Sequence, residues 1–198
     1  MSNRPVTGIQ QGADALVLAS GGIDSSTILA LLREQGFNST ALFIDYGQAA
    51  AEAEEAAVAG ICSQYCVPLT VVRYRGTRFG SGEIRGRNAF LLHVALMEFS
   101  AACGTILIGI HAGTGYRDCS TGFVDLMCRS FEFHTGGAIS ICAPFISWTK
   151  REVFDFAIHL AVPVTSTYSC EAGSEPCGEC YSCLDRMALG LEEMRDRT

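Results

Sequence analysis

The sequence predicts an α/β fold in three layers, a parallel sheet covered by helices on both faces, with a small C-terminal appendage. Three observations carry that expectation. Short apolar runs alternate with segments whose apolar residues recur at helical spacing. A stretch rich in glycine and hydroxyl groups, Ser20–Thr27, joins the first run to the first helical segment. Four cysteines crowd together between Cys170 and Cys183.

The elements follow in order. Ala15–Ala19 is apolar throughout, as a strand buried on both faces requires. In Ser25–Glu34 the residues Ile28, Leu29, Leu31 and Leu32 lie at helical spacing, and Gly36 supplies a stop. Thr40–Ile44 reads as a second strand, Ala49–Ala59 as a helix of alanine and glutamate, and Pro68–Arg73 as a third strand. A loop rich in glycine and arginine, Gly76–Arg87, leads to Asn88, which opens a helix running to Cys103. Thr105–Ile110 is a strand, a helix starts near Thr121 after a polar loop, and Ala138–Ala143 is the next strand. Thr149-Lys150-Arg151-Glu152 fits a capping box that opens a helix to Leu160. A short helix over Arg186–Arg195 closes the pattern. No repeat, low-complexity tract or linker divides the chain, so one domain over 1–198 is expected, with 168–198 as a segment within it.

Hydrophobic residues make up 48% and charged residues 18%, enough for a compact core. The net charge of −7 offers no general basic face for a phosphate backbone, so nucleic acid is not an expected partner. The first fourteen residues hold no apolar signal core, and no stretch approaches the roughly 18 apolar residues that span a bilayer. A cytoplasmic protein is expected. Thiols stay reduced there, so most of the scattered cysteines (Cys62, Cys66, Cys103, Cys119, Cys128 and Cys142) read as small buried hydrophobes.

In open parallel sheets ligands bind beyond the carboxyl ends of the strands, which draws attention to the string "SGGIDSST". Gly21 and Gly22 allow close backbone approach, and the free N–H groups of the following helix form an anion site. Ser20, Ser25, Ser26 and Thr27 add hydroxyl donors. Asp24 is too negative to meet a phosphate without a cation, so Mg²⁺ bridging the two is expected. The string lacks the lysine of the common phosphate loop. A plain capped turn is the alternative. Asp45 ends the second strand, where a carboxylate meets ribose hydroxyls or merely forms a turn before Gly47.

Cys170, Cys177, Cys180 and Cys183 form a C-x6-C-x2-C-x2-C array. Four thiolates select tetrahedral Zn²⁺ with no open position, which makes the site structural. An iron–sulfur cluster and free thiols are the competing readings.

"SGGIDSST" resembles the pyrophosphate loop of the ATP-pyrophosphatase superfamily. Taken with "DYGQ", "GRNAFLL", "GYRDC", "PF…TKREV" and "SC…CGECYSC" in that order, the chain from Ala15 to Arg186 resembles the QueC family of the queuosine pathway. The resemblance implies a Rossmann-like domain of the adenine nucleotide alpha-hydrolase type, and ATP split to AMP and pyrophosphate. It also implies a 7-deazaguanine carboxylate as substrate, ammonia as the amine, and zinc on the four cysteines. Ser20, Gly21, Gly22, Ile23, Asp24, Ser25 and Ser26 then fall in the ATP loop, with Asp45 and Gln48 beside the nucleotide. Tyr46, Arg87, Asn88, His111, Tyr116 and Asp118 fall on the substrate side, next to Cys119. Asp24, Arg87, Asp118 and Lys150 are the catalytic candidates. Arg87 could fork onto a carboxylate or phosphate, and Asp118 could accept from a guanine-like N–H pair or cap the following helix. Lys150 could contact phosphate or only decorate a first turn.

The chain also departs from the family pattern. Ala49-Ala50-Ala51 stands where the family carries an arginine and a histidine, and "HAGTGYRDC" is two residues shorter than the usual loop. Tyr168-Ser169-Cys170 replaces Trp-Ser-Cys. These changes fall on the substrate wall, so an amine other than ammonia, on a protein for instance, is a second expectation. A nucleotide-binding zinc module without chemistry is a third. His111 reads as a general base or as a structural polar residue, and His93 and His159 as packing residues. A homodimer is compatible with each reading.

Overall fold

The computed structural model describes residue 9 and residues 13–80, 82–111 and 113–191. Strands β1 (Asp14–Leu18), β2 (Ser39–Asp45), β3 (Leu69–Arg73), β4 (Gly104–Ile108) and β5 (Ile139–Cys142) form one sheet in the order β3-β2-β1-β4-β5. Every pairing is parallel, and Leu18 at the end of β1 lies between Leu42 and Ile108. The order reverses between β1 and β4, which opens a crevice at the carboxyl ends of these two strands.

Helices α1 (Ile23–Glu34), α2 (Ala51–Tyr65), α3 (Arg87–Glu98), α4 (Thr121–Thr135), α5 (Lys150–His159) and α6 (Tyr181–Ala188) complete the described elements. Successive strand residues point to opposite faces. Ala15 and Val17 of β1 therefore join a core with Ile28, Leu32, Val58, Ile61, Val153 and Ala157 from α1, α2 and α5. Leu16 and Leu18 join a second core with Leu92, Ala95, Met127 and Phe131 from α3 and α4. The expected three layers are present.

The boundaries differ from the sequence expectation for local reasons. α1 starts at Ile23, two residues sooner than its apolar periodicity indicates, because Gly22 already adopts the extended N-cap conformation. α2 continues past Ala59 to Tyr65, since Ile61, Cys62 and Tyr65 extend its buried face. α3 stops at Glu98 and not Cys103. Phe99 turns extended, and its ring occupies the place where a Cβ on Gly104 would stand, 2.6 Å away. α6 begins at Tyr181, directly after Cys180, so it starts ahead of the expected Arg186. Residues 192–195 of that expectation lie outside the described residues, as do residues 1–8 and 10–12 of the leader reading. The capping box is present: Thr149 N donates to Glu152 Oε2 at 2.8 Å, and Glu152 N to Thr149 Oγ1 at 3.3 Å. No described helix is long and apolar enough to cross a membrane.

The scattered cysteines divide by location. Cys62 and Cys142 are buried, Cys119 and Cys128 half-buried, and Cys66 and Cys103 exposed. The last two fall in connections, Cys66 closing α2 in the left-handed conformation, so they are not the buried hydrophobes expected. His93 does pack: its ring nitrogens meet Ala89 O at 2.8 Å and Ser130 Oγ at 3.2 Å, joining α3 to α4. His159 is exposed and stacks on Phe156.

Candidate active site and metal centre

A cavity of about 370 Å³ opens at the carboxyl ends of β1, β2 and β4, where the strand order reverses. Its floor is the loop between β1 and α1. Gly22 is the N-cap of α1 and carries no side chain to satisfy the first helical N–H groups. Those groups and the positive end of the helix are left for a ligand. Ser25 shapes the loop by accepting from Ser20 N at 3.2 Å and lying 3.4 Å from the Ser20 hydroxyl. Ser26 and Thr27 are buried beneath, and the Thr27 hydroxyl donates to Ile23 O at 2.6 Å.

Two glycines hold this floor in place. Gly21 has φ +74°, and a Cβ there would stand 2.8 Å from Glu54 O, so α2 lies against the loop. Gly109, just past β4, passes so near α1 that a Cβ would meet Ser25 N at 3.0 Å and Asp24 Cβ at 3.1 Å. The lone glycine in the apolar run "TILIGI" was the sequence signal for this close approach.

Asp24 projects into the cavity from the first turn of α1. Lys150, at the start of α5, donates to both its oxygens at 2.9 and 2.8 Å. His111 Nε2 lies 3.9 Å from Asp24 Oδ2 and is buried. An acid and two basic groups from three separate elements therefore meet beside the open helix end. Asp24 is the residue here that could hold a divalent cation, beside the Lys150 ammonium.

The opposite wall is aromatic and charged. Arg87 lines it from the first turn of α3, with its guanidinium 5.9 Å from the centre of the Tyr116 ring. Tyr116 and Tyr181 meet edge to face at 6.4 Å, and Tyr46 lies alongside. Burial pushes the Tyr46 hydroxyl up, against the opposing influence of Arg87. Burial likewise pushes Cys119 up, which keeps it a neutral thiol and a poor nucleophile.

The other expected residues take different places. Asp45 does not line the cavity; its Oδ1 accepts from Gly47 N at 2.9 Å, the turn-forming arrangement. Gln48 lines it but is built into the wall, with Nε2 donating to Glu54 at 2.8 Å and Oε1 accepting from Tyr46 N at 2.9 Å. Asp118 is absent from the cavity lining and caps α3, accepting from Asn88 N at 3.2 Å. The Asn88 amide returns a bond to Asp118 O at 3.0 Å. α4, the helix that follows Asp118, is capped by Ser120 instead. Three acids that the motifs did not single out do line the cavity: Glu54, Glu171 and Asp185. Burial raises the Glu54 carboxyl above its ordinary range, with the Gln48 donation opposing.

At the cavity rim the four sulfurs of Cys170, Cys177, Cys180 and Cys183 all lie within 4.8 Å of one another. A Zn–S bond of about 2.3 Å in a tetrahedron needs sulfurs about 3.8 Å apart. Cys177 and Cys183 are 3.9 Å apart. Backbone N–H groups of Ala172 and Cys177 donate to Cys170 Sγ, each at 3.4 Å, and Cys180 N to Cys177 Sγ at 3.3 Å. Burial alone would raise the Cys170 thiol, but the bonds it accepts from Ala172, Cys177 and Cys183 bring it down to about 7. The donor set and its spacing fit zinc. The cluster also explains Ala50, which is buried against Tyr168, Cys170 and Cys183. The C-terminal segment fills the space beside Ala50, so this alanine does not widen the cavity.

Residues 14–81 and 75–195 match the family model described as "Queuosine biosynthesis protein QueC". The 7-cyano-7-deazaguanine synthase of Synechococcus sp. strain CC9605 is 29% identical over 212 residues, covering 91% of this chain and 94% of that protein. The synthase of the same name from Synechococcus sp. strain CC9902 is 30% identical over 203 residues, covering 87% and 90%. Among solved structures, NMN synthetase from Francisella tularensis aligns with 94% of this chain and 77% of its own, at a TM-score of 0.52 and 17% identity. At that identity the likeness is one of fold.

Proposed function

The chain belongs to the QueC family, and from that premise we propose that it adenylates the carboxylate of a 7-deazaguanine ring, 7-carboxy-7-deazaguanine, for attack by an amine. The observation that supports this most is the joining of two unlike walls in one cavity. One wall is an uncapped helix end with an acid beside it; the other is an aromatic surface with Arg87. The first suits the phosphates of ATP, the second a flat ring bearing a carboxylate.

The chemistry needs both. The substrate carboxylate attacks the α-phosphorus, pyrophosphate leaves, and a poor leaving group becomes an acyl adenylate. In this reading Ser20, Ser25 and the first N–H groups of α1 stabilise the departing pyrophosphate. Asp24 would hold Mg²⁺, which supplies charge neutralisation on the phosphates. Lys150 balances the Asp24 charge and holds it in position, with the buried His111 beside it. Arg87 orients the carboxylate, and Asp118 acts through the start of α3 to position Arg87 and Asn88. With ammonia the amine attacks the acyl carbon and AMP leaves. Activation of the resulting amide oxygen by a second ATP, with loss of AMP and two protons from nitrogen, gives the nitrile.

One feature favours a second amine. Gly113, Thr114 and Gly115 line the cavity from the shortened loop, leaving small side chains where a larger nucleophile would enter. A ligase joining the same activated carboxylate to an amine on a protein is that second reading. The Asp24–Lys150 pair inside the cavity speaks against a module without chemistry.

Pyrophosphate exchange into ATP tests the proposal. It should depend on 7-carboxy-7-deazaguanine; the absence of exchange and of AMP release with that carboxylate, candidate amines included, would contradict it. Mass spectrometry of the products then separates free nitrile from a ring-bearing adduct.

A further inference from the structure

We propose that Glu171 is the group that reads the guanine-like edge of the ring, and that the zinc cluster fixes its position; the inference rests on the function proposed above. The ring of such a substrate offers two parallel donors, an N1–H and an exocyclic amine. A carboxylate matches this pair with its two oxygens, as side-chain acids do when they accept from bases. Asp118, the acid that the sequence offered for this task, is spent on the cap of α3 and does not reach the cavity lining. Asp24 is held by Lys150 at the phosphate end.

Glu171 stands among the ring-binding residues. It lines the cavity with Tyr116 and Tyr181, whose edge-to-face contact forms an aromatic corner. Its Oε1 accepts from the Ser182 hydroxyl at 2.8 Å, which orients the carboxylate and leaves it acceptor capacity. Glu54 is a less suitable reader, since Gln48 already donates to it and burial favours its neutral form.

The chain leading into Glu171 is tethered by two bonds. Tyr168 N donates to Gly21 O at 2.9 Å, so this strap begins on the phosphate loop itself. Arg186 of α6 donates to Thr167 Oγ1 at 2.9 Å. Cys170, the residue before Glu171, is a member of the cysteine cluster, and Ser182 lies between its members Cys180 and Cys183. Metal on the four sulfurs would therefore fix both the carboxylate and its orienting hydroxyl.

The test compares two ring carboxylates, 7-carboxy-7-deazaguanine and the analogue lacking the exocyclic amine, in AMP release by the zinc-loaded protein. Wild type should prefer the aminated ring. Glu171→Gln places an amide donor against the ring donors, and should lower kcat/KM for the aminated ring by about 10–100-fold. The preference between the two rings should collapse, while zinc content and the KM for ATP hold. Ser182→Ala should lower the same preference by a smaller factor. An unchanged preference in Glu171→Gln, or an equal loss on both rings, would overturn the assignment. Failure of the function proposed above shows separately, as wild-type protein that responds to neither ring, and the inference then falls with it.

Discussion

Asp24 and Lys150 show what a single side chain contributes here. They are separated by 126 positions, yet the ammonium bonds both carboxylate oxygens. The Lys150 and Asp24 side chains are 20% and 18% exposed, so removing one partner leaves the other largely buried and unpaired, at a cost of about 1–3 kcal/mol. Activity should respond more. Asp24→Asn should lower ATP-dependent AMP formation by about 100–1,000-fold with the circular dichroism spectrum unchanged, since it removes charge beside the phosphates. Lys150→Met should give a loss of similar order. Full activity in either variant would remove that residue from the chemistry. Asp24 was legible because it sits within a motif; its partner was legible only as a lysine in a first turn. No spacing rule links the two, because the strand order brings them together. Glu54 and Glu171 left no sequence signal, Glu54 being one of several glutamates in an alanine-rich helix and Glu171 an acid in a polar loop.

At the scale of elements, the cysteine cluster and the strap from Thr167 to Glu171 tie the C-terminal segment to the loop between β1 and α1. Cys180→Ser should release the metal and lower the melting temperature, because a structural zinc site contributes folding free energy directly. Retention of one zinc per chain, or fully folded protein with iron in its place, would contradict this. Ala50→Arg tests the packing beneath. Ala50 is buried against Tyr168, Cys170 and Cys183, so the added side chain must displace the strap. It should destabilise by about 1–3 kcal/mol and speed zinc loss to a chelator. The strands and most helices were legible because their apolar periods are long and regular, and the Thr149 capping box was readable to the residue. The end of α3 was not: it depends on Phe99 packing over Gly104, a contact between positions that periodicity treats as helix and strand. The start of α6 follows from Cys180 and the cluster, a constraint outside any local pattern.

Across the whole molecule, the sheet order β3-β2-β1-β4-β5 puts the carboxyl ends of β1 and β4 side by side at the reversal. The cavity there receives one wall, proposed for the phosphates, from β1, α1 and α5, and the other, proposed for the ring, from α3, the loop after β4 and the C-terminal segment. Oxygen transfer shows whether a ring carboxylate is activated by adenylation across these two walls, as proposed. With 7-carboxy-7-deazaguanine labelled by ¹⁸O in both carboxylate oxygens, ATP and the amine should yield pyrophosphate without label and AMP bearing one labelled oxygen per adenylation. AMP free of label, or ADP formed together with labelled phosphate, would contradict the account.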